Sequence, residues 1–125
     1  MKRAILVSTF LFMILIPVLS SGQSLQEKKA DLLYENMAYS KAVTIYESLY
    51  KKYPHNGKYI QRLAYCYDKM LNYKKALLYY SYLIQVNERK IGDYYEYAQL
   101  LRIENKIDDY KVWLEKYLTR GDYKK

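Results

Sequence analysis

Residues 63–83 read LAYCYDKMLNYKKALLYYSYL, and the stretch decides the fold because its residue types recur 34 positions before and after it. The small residues of this register are Ala30, Ala64 and Ala98 in one series, and Ala42 and Ala76 in another. A repeat of this length is typical of stacked helix pairs, since one pair cannot bury its apolar face alone. The spacing therefore predicts an all-α chain.

Larger apolar residues share the register. Tyr46 matches Tyr80, and Leu49 matches Leu83. Their spacing is helical and shows no strand-like alternation. We expect six helices in three pairs, at residues 25–36 and 40–53, 58–70 and 74–86, and 93–104 and 108–119.

Turn residues separate the predicted helices. Pro54 cannot continue the helix before it, and Gly57 follows as a flexible residue. We predict Asp93 and Asp108 as N-caps, because an aspartate side chain accepts hydrogen bonds from the free backbone N–H groups at a helix start.

The second unit resembles the tetratricopeptide repeat (TPR) family. The residues at the signature spacings are Leu63, Ala64, Tyr67, Tyr73, Ala76, Tyr80 and Leu83. The resemblance implies three stacked helix–turn–helix repeats in a short right-handed solenoid. The repeats would cover residues 23–56, 57–90 and 91–120, followed by a tail at 121–125. The third is degenerate, because Tyr110 stands where the family has a small residue.

A narrower resemblance concerns location. Residues 30–35 with 39–42, and residues 94–101, are similar to the N-terminal repeat region of envelope proteins from one branch of Gram-negative bacteria. Those proteins continue into a β-propeller and a peptidoglycan-binding domain like that of outer membrane protein A. Some of these proteins are associated with type IX secretion. The resemblance implies a periplasmic docking role. It covers only the repeats, so it does not carry peptidoglycan binding over to this chain.

The first 22 residues have the pattern of a secretory signal peptide. Lys2 and Arg3 precede an almost wholly apolar run over residues 4–19, and small residues follow up to Gly22. The run is shorter than the roughly 20 residues that span a membrane. We predict cleavage after Gly22 and export to the periplasm or the outer membrane. The alternative is an uncleaved segment that tethers the protein to the inner membrane.

The net charge indicates which partners to expect, and the cysteine content indicates whether a reactive thiol is present. Cleavage would lower the formal net charge from +8 to +6. A basic chain can bind nucleic acid, but an exported protein rarely meets it, so we predict no nucleic-acid ligand. An anionic membrane surface, an acidic polymer or an acidic patch on a partner protein fits the charge better. Cys66, the only cysteine, shares its register with Leu32 and Leu100. It is expected to be a small buried residue and not a reactive thiol.

The sequence offers little for catalysis. It has no Gly-rich phosphate loop, no nucleophile elbow and no His-Glu-x-x-His site, and its one histidine, His55, falls in a predicted turn. A metal site would need clustered His, Cys, Asp or Glu ligands. We therefore predict no catalytic residues, no metal and no cofactor.

The resemblance implies a ligand groove along the first helix of each pair. The groove positions are Glu27, Asp31 and Tyr34 in the first repeat, Lys58, Gln61, Arg62, Tyr65 and Lys69 in the second, and Tyr95, Gln99 and Arg102 in the third. Such a groove would be acidic at the first repeat and basic beyond it. We expect it to bind an acidic protein or peptide segment. The family's carboxylate clamp, which holds C-terminal tails, needs Lys and Asn in the first repeat, Asn in the second, and Lys and Arg in the third. We exclude it here, because its positions hold Glu27, Asp31, Arg62, Gly92 and Glu96.

The last predicted helix is rich in apolar residues, and little follows it to cap the array. We predict an exposed aromatic interface at this C-terminal edge, formed by Tyr110, Trp113 and Tyr117. It would mediate self-association or the docking of a partner. In the alternative, Tyr110 and Trp113 pack back onto the fifth helix and close the core.

Three functions fit these features. The first is an exported adaptor that binds a partner protein. The second is a truncated structural repeat segment that self-associates or docks on an envelope or type IX secretion assembly. The third is an auxiliary subunit of an envelope enzyme.

Overall fold

The structure, a computed structural model, describes residues 25–86 and 91–120. The helices are α1 (25–35), α2 (Tyr39–Lys52), α3 (Gly57–Lys69), α4 (Tyr73–Gln85), α5 (Ile91–Ile103) and α6 (Ile107–Arg120). Each starts within two residues of its predicted position, and the described residues contain no strand. The prediction of an all-α helical repeat is confirmed. The predicted signal peptide and the tail at 121–125 lie outside the described residues.

The three turns inside the pairs have one backbone conformation. Met37, Leu71 and Asn105, spaced by 34 residues, have φ of 59°, 60° and 58°. In the second pair, Leu71 N–H donates to Asp68 O at 2.9 Å and Asn72 N–H donates to Tyr67 O at 2.9 Å. This is the Schellman arrangement, which satisfies the last carbonyls of a helix. The turns therefore repeat as regularly as the helices do.

Asparagines cap two of the helix starts. The Asn56 side chain accepts from the backbone N–H of Lys58 at 3.0 Å and of Tyr59 at 3.3 Å, and Asn72 caps α4. The predicted caps Asp93 and Asp108 are wrong, because α5 and α6 begin before them and place both in the first turn. There they still complement the positive end of the helix dipole.

The core lies within and between the pairs. The five register alanines are all 0% exposed: Ala30, Ala42, Ala64, Ala76 and Ala98. Methyl side chains at these sites leave room for close helix approach. Tyr46 and Tyr80, at the positions between pairs, are 0% and 2% exposed. Helix α2 packs against α3, and α4 packs against α5, so the pairs stack in chain order.

Both ends of the described stack leave register positions uncovered. Leu32 is 59% exposed, although Cys66 and Leu100 at the same position are 0% and 2% exposed. At the other end, Leu114 takes the position of the buried Tyr46 and Tyr80 but is only partly buried. Within the described residues, no helix combines the length and apolarity needed to cross a membrane.

Candidate ligand groove

The first helices of the first two pairs are joined by an ion cluster. Lys58 Nζ lies 2.6 Å from Glu27 Oε1 and 2.7 Å from Asp31 Oδ2. The Tyr59 hydroxyl donates to Glu27 at 3.1 Å, and the Tyr46 hydroxyl donates to Asp31 at 2.5 Å. Two of the residues predicted as an acidic groove end are therefore held by a lysine of the next repeat.

The cluster changes the acidity of its members. Burial alone would raise the pKa of Asp31, but the hydrogen bonds from Lys58 and Tyr46 outweigh it and hold that pKa below its usual value. Burial alone would lower the pKa of Lys58, but the hydrogen bonds to Asp31 and Glu27 outweigh it and raise that pKa. Asp31 and Lys58 therefore both stay charged at neutral pH, and less free negative charge faces a ligand than the sequence suggests.

Four predicted groove residues form a continuous tyrosine–cation strip: Tyr34, Arg62, Tyr65 and Lys69. The Arg62 guanidinium lies 4.0 Å from the Tyr34 ring centroid, and the Lys69 ammonium lies 4.9 Å from that of Tyr65. The two rings are 5.4 Å apart. Each cation is attracted by the negative face of its ring, which restrains both side chains. Arg62 Nε is buried and has no hydrogen-bond partner within the described part of the chain.

The strip meets two carboxylates, Asp68 and Glu96, that are not among the eleven predicted groove residues. Asp68 lies 3.8 Å from Lys69, and partial burial together with the nearby Asp68 raises the pKa of Glu96. Asp68 shares its register with Tyr34 and Arg102, which were both assigned to the groove. Extending that register to the second repeat would have found it. The basic part of the groove is therefore short, with acidic groups on both sides.

The third repeat meets the groove through contacts that the sequence did not predict. Gln61 Nε2 donates to Asp93 Oδ1 at 2.8 Å, and Asp93 is only 4% exposed. Tyr95 and Arg102 contact α6. The ring centroids of Tyr95 and Tyr117 are 5.2 Å apart, and the Arg102 guanidinium lies 5.9 Å from the ring centroid of Tyr110. Gln99 is partly buried. As ligand contacts, all eleven groove residues stay a prediction.

The aromatic residues of α6 pack back onto α5. The Trp113 ring stacks on Tyr94 with ring centroids 5.8 Å apart, and it meets Tyr97 edge-on with centroids 5.1 Å apart. The Lys116 ammonium lies 3.8 Å from the Trp113 ring centroid. Tyr110, Trp113 and Tyr117 are each partly buried. Trp113 therefore packs back onto α5 as the alternative describes, but no residue of α6 is fully buried. As an interface, the three residues stay a prediction.

The described residues offer few groups for bond-making chemistry. No cluster of three or more His, Cys, Asp or Glu residues among them could hold a metal ion. Burial raises the pKa of the Cys66 thiol to about 12, so it stays protonated at neutral pH. His55 is exposed. The rings, cations and carboxylates of the groove can contact another molecule.

Comparison with known proteins identifies the fold. No protein-family model and no curated protein sequence matches the chain. Among solved structures, the chain is similar to the C-terminal part of a TPR repeat-containing protein from Cytophaga hutchinsonii, with a TM-score of 0.66 and 22% sequence identity. The match covers 75% of this chain and 38% of that one. The chain therefore has the fold of a tetratricopeptide repeat array.

Proposed function

We propose that the chain is an exported interaction module that binds a segment of a partner protein along α1, α3 and α5. The observation that carries the proposal is the tyrosine–cation strip. Arg and Tyr are enriched among the residues that dominate binding energy at protein interfaces. Because each cation of the strip is held against a ring, less side-chain freedom is lost when a ligand binds.

The surroundings of the strip define the ligand. Arg62 and Lys69 attract one acidic group, which could be an Asp or Glu side chain or a C-terminal carboxylate. The ion cluster on one side and Asp68 with Glu96 on the other repel further negative charge. We therefore propose a segment with a single acidic group between neutral or basic residues, and not a run of acids.

A capture experiment tests the binding role. The protein, produced from its whole reading frame and immobilised, is exposed to a Gram-negative envelope fraction, and the captured proteins are identified. We expect the double variant Arg62→Glu with Lys69→Glu to lose specific partners. Lys74→Glu, an exposed change on α4, should keep them. Equal capture by the two variants would place binding elsewhere.

A peptide experiment separates the ligand chemistry from the binding role. Peptides from a captured partner, each with one acidic group or with several, are titrated against the protein. Binding of the single-acid peptides should weaken as salt rises, because exposed charges are screened over about 8–10 Å near physiological ionic strength. Tighter binding of the multiply acidic peptides would contradict the ligand class while leaving the adaptor role intact.

Export is part of the proposal and rests on residues 1–22. A positive start, an apolar run and small residues at its end are what the export machinery recognises. Mass spectrometry of the protein from a Gram-negative host should find a chain that starts at or near Gln23. Recovery of the whole chain in the inner membrane would favour the tethered alternative.

A further inference from the structure

The junction between the first two pairs shows how one pair receives the next. Tyr67 and Tyr79 stack with ring centroids 5.7 Å apart and form a receiving surface. Two residues of α2 lie against it. Glu47 accepts a hydrogen bond from the Tyr67 hydroxyl, and the Tyr50 ring meets Tyr79 edge-on at 5.6 Å. The Lys75 ammonium donates to the Tyr67 hydroxyl at 3.3 Å.

The first pair has a counterpart of this receiving surface that no described residue covers. Leu33, Ile45 and Lys41 stand 34 residues before Tyr67, Tyr79 and Lys75. They line an open groove of about 490 Å³ between α1 and α2. The neighbouring Leu32 is 59% exposed. Within residues 25–86 and 91–120, the positions that are occupied inside the stack are therefore open at this end.

Helix α6 presents the residues that such a groove would receive. Glu115 and Leu118 stand two repeats after Glu47 and Tyr50. Both are exposed, and Leu118 is 55% accessible. The end of the stack thus carries an acidic and an apolar side chain in the same order as α2 does at the internal junction.

We propose that the chain binds a second copy of itself head to tail, with α6 of one copy seated on the α1–α2 groove of the next. Leu118 of one copy fills the space between Leu33 and Ile45 of the next, and Glu115 lies near Lys41. The internal junction supplies the register, the open groove supplies the space, and the Glu115–Lys41 pair supplies opposite charge. This contact does not involve the tyrosine–cation strip, so it goes beyond the adaptor function.

A contact between two different surfaces has a consequence that a two-fold contact lacks. Each copy keeps one free surface after it binds, so the assembly can grow until one surface is blocked. Blocking either surface in every copy should abolish association. Two copies blocked at opposite surfaces should still form one pair, and that pair cannot grow.

Sedimentation tests this directly on protein from the whole reading frame, as the host cell processes it. The wild-type mass should rise with concentration from one chain to two or more. Leu32→Glu and Leu118→Glu should each stay single-chain alone. Their equimolar mixture should give a species of two chains and nothing larger. Leu78→Glu, at a position that is exposed in every pair, is the matched control and should associate like wild type.

Exchanging the charges of Lys41 and Glu115 gives a second test, which does not place a glutamate at an apolar position as the leucine variants do. Lys41→Glu and Glu115→Lys should each shift association to higher concentration, and the two changes in one chain should move it back towards wild type. If either leucine variant fails to fold, this exchange decides alone.

Three results would overturn the proposal. The first is a wild-type protein that stays single-chain at every concentration. The second is a Leu32→Glu or Leu118→Glu protein that pairs with itself, since this would indicate a two-fold contact. The third is a charge exchange that fails to restore association.

Discussion

The hydroxyl of Tyr67 donates a hydrogen bond to the carboxylate of Glu47 and so ties the second pair to the first. Tyr67 is 4% exposed, and its oxygen also accepts from Lys75 at 3.3 Å. A polar atom this deep in a packed junction stabilises the fold only while its partners remain in place.

Removing this hydroxyl should destabilise the protein. Tyr67→Phe leaves the ring in place and deprives Glu47 and Lys75 of a shared partner. We expect the free energy of unfolding to fall by about 1.5–3 kcal/mol in urea denaturation, because hydrogen bonds to charged groups contribute more than neutral ones. Tyr82→Phe is the control, since that ring packs against Tyr79 at 6.1 Å without a described hydrogen bond. Equal losses in the two variants would contradict the role of the hydroxyl.

The buried tyrosines should make the fold sensitive to alkali. Burial, with a further contribution from Glu47, raises the pKa of Tyr79 from 10.0 to about 12. As pH rises the unfolded chain loses this proton first, so the stability from neutral Tyr79 is complete below pH 10 and is lost between 10 and 12.

This dependence can be measured by two signals. Tyrosinate absorbance and loss of helical circular dichroism should change together in that pH range. Tyr79→Phe should reduce the steepness of the transition. Complete tyrosine ionisation with the helices intact would contradict the expectation.

The turn between α3 and α4 offers a stabilising change. Leu71 adopts φ of 60° and is 71% exposed, so it has little packing to lose. A left-handed conformation costs a residue with a Cβ roughly 1–2 kcal/mol, and glycine avoids most of that cost. We expect Leu71→Gly to raise the melting temperature. Leu78→Gly, in the interior of α4, should instead cost about 1 kcal/mol. A lower melting temperature for Leu71→Gly would show that the turn is not strained.

The alanine register should not accept a larger residue. Ala64 is 0% exposed, so Ala64→Leu inserts atoms into a filled space and should cost about 1–3 kcal/mol. Lys74→Leu introduces the same side chain at an exposed site on α4 and should change stability little. Similar melting curves for the two variants would indicate room beside Ala64.

The repeat register was sufficient to predict the helices and the core. Each pair must cover the apolar face of the next, so the positions of Ala64 and Tyr80 follow from period and residue type alone. Exact helix starts depend on local turns. The prediction of Asp93 as a cap rests on a polar residue near a break, whereas the structure buries Asp93 beside Gln61.

The groove was harder to predict, because its charges depend on which side chains reach each other across helices. Lys58 is 27 residues from Asp31 in sequence, and only the stacking of α1 and α3 brings them within 2.7 Å. A register shows which residues share a face. It does not show which of them neutralise one another, so the predicted acidic end proved to be an ion cluster.

Helix α6 contributes no fully buried residue, whereas α3 contributes seven. Free energies of local opening follow such differences in burial, so backbone amides should exchange their hydrogens with solvent at graded rates. Amides of α6 should exchange first and those of α3 last. A bound molecule that covered α6 would slow exchange there far more than in α3, so the exchange pattern would report which end of the array is occupied.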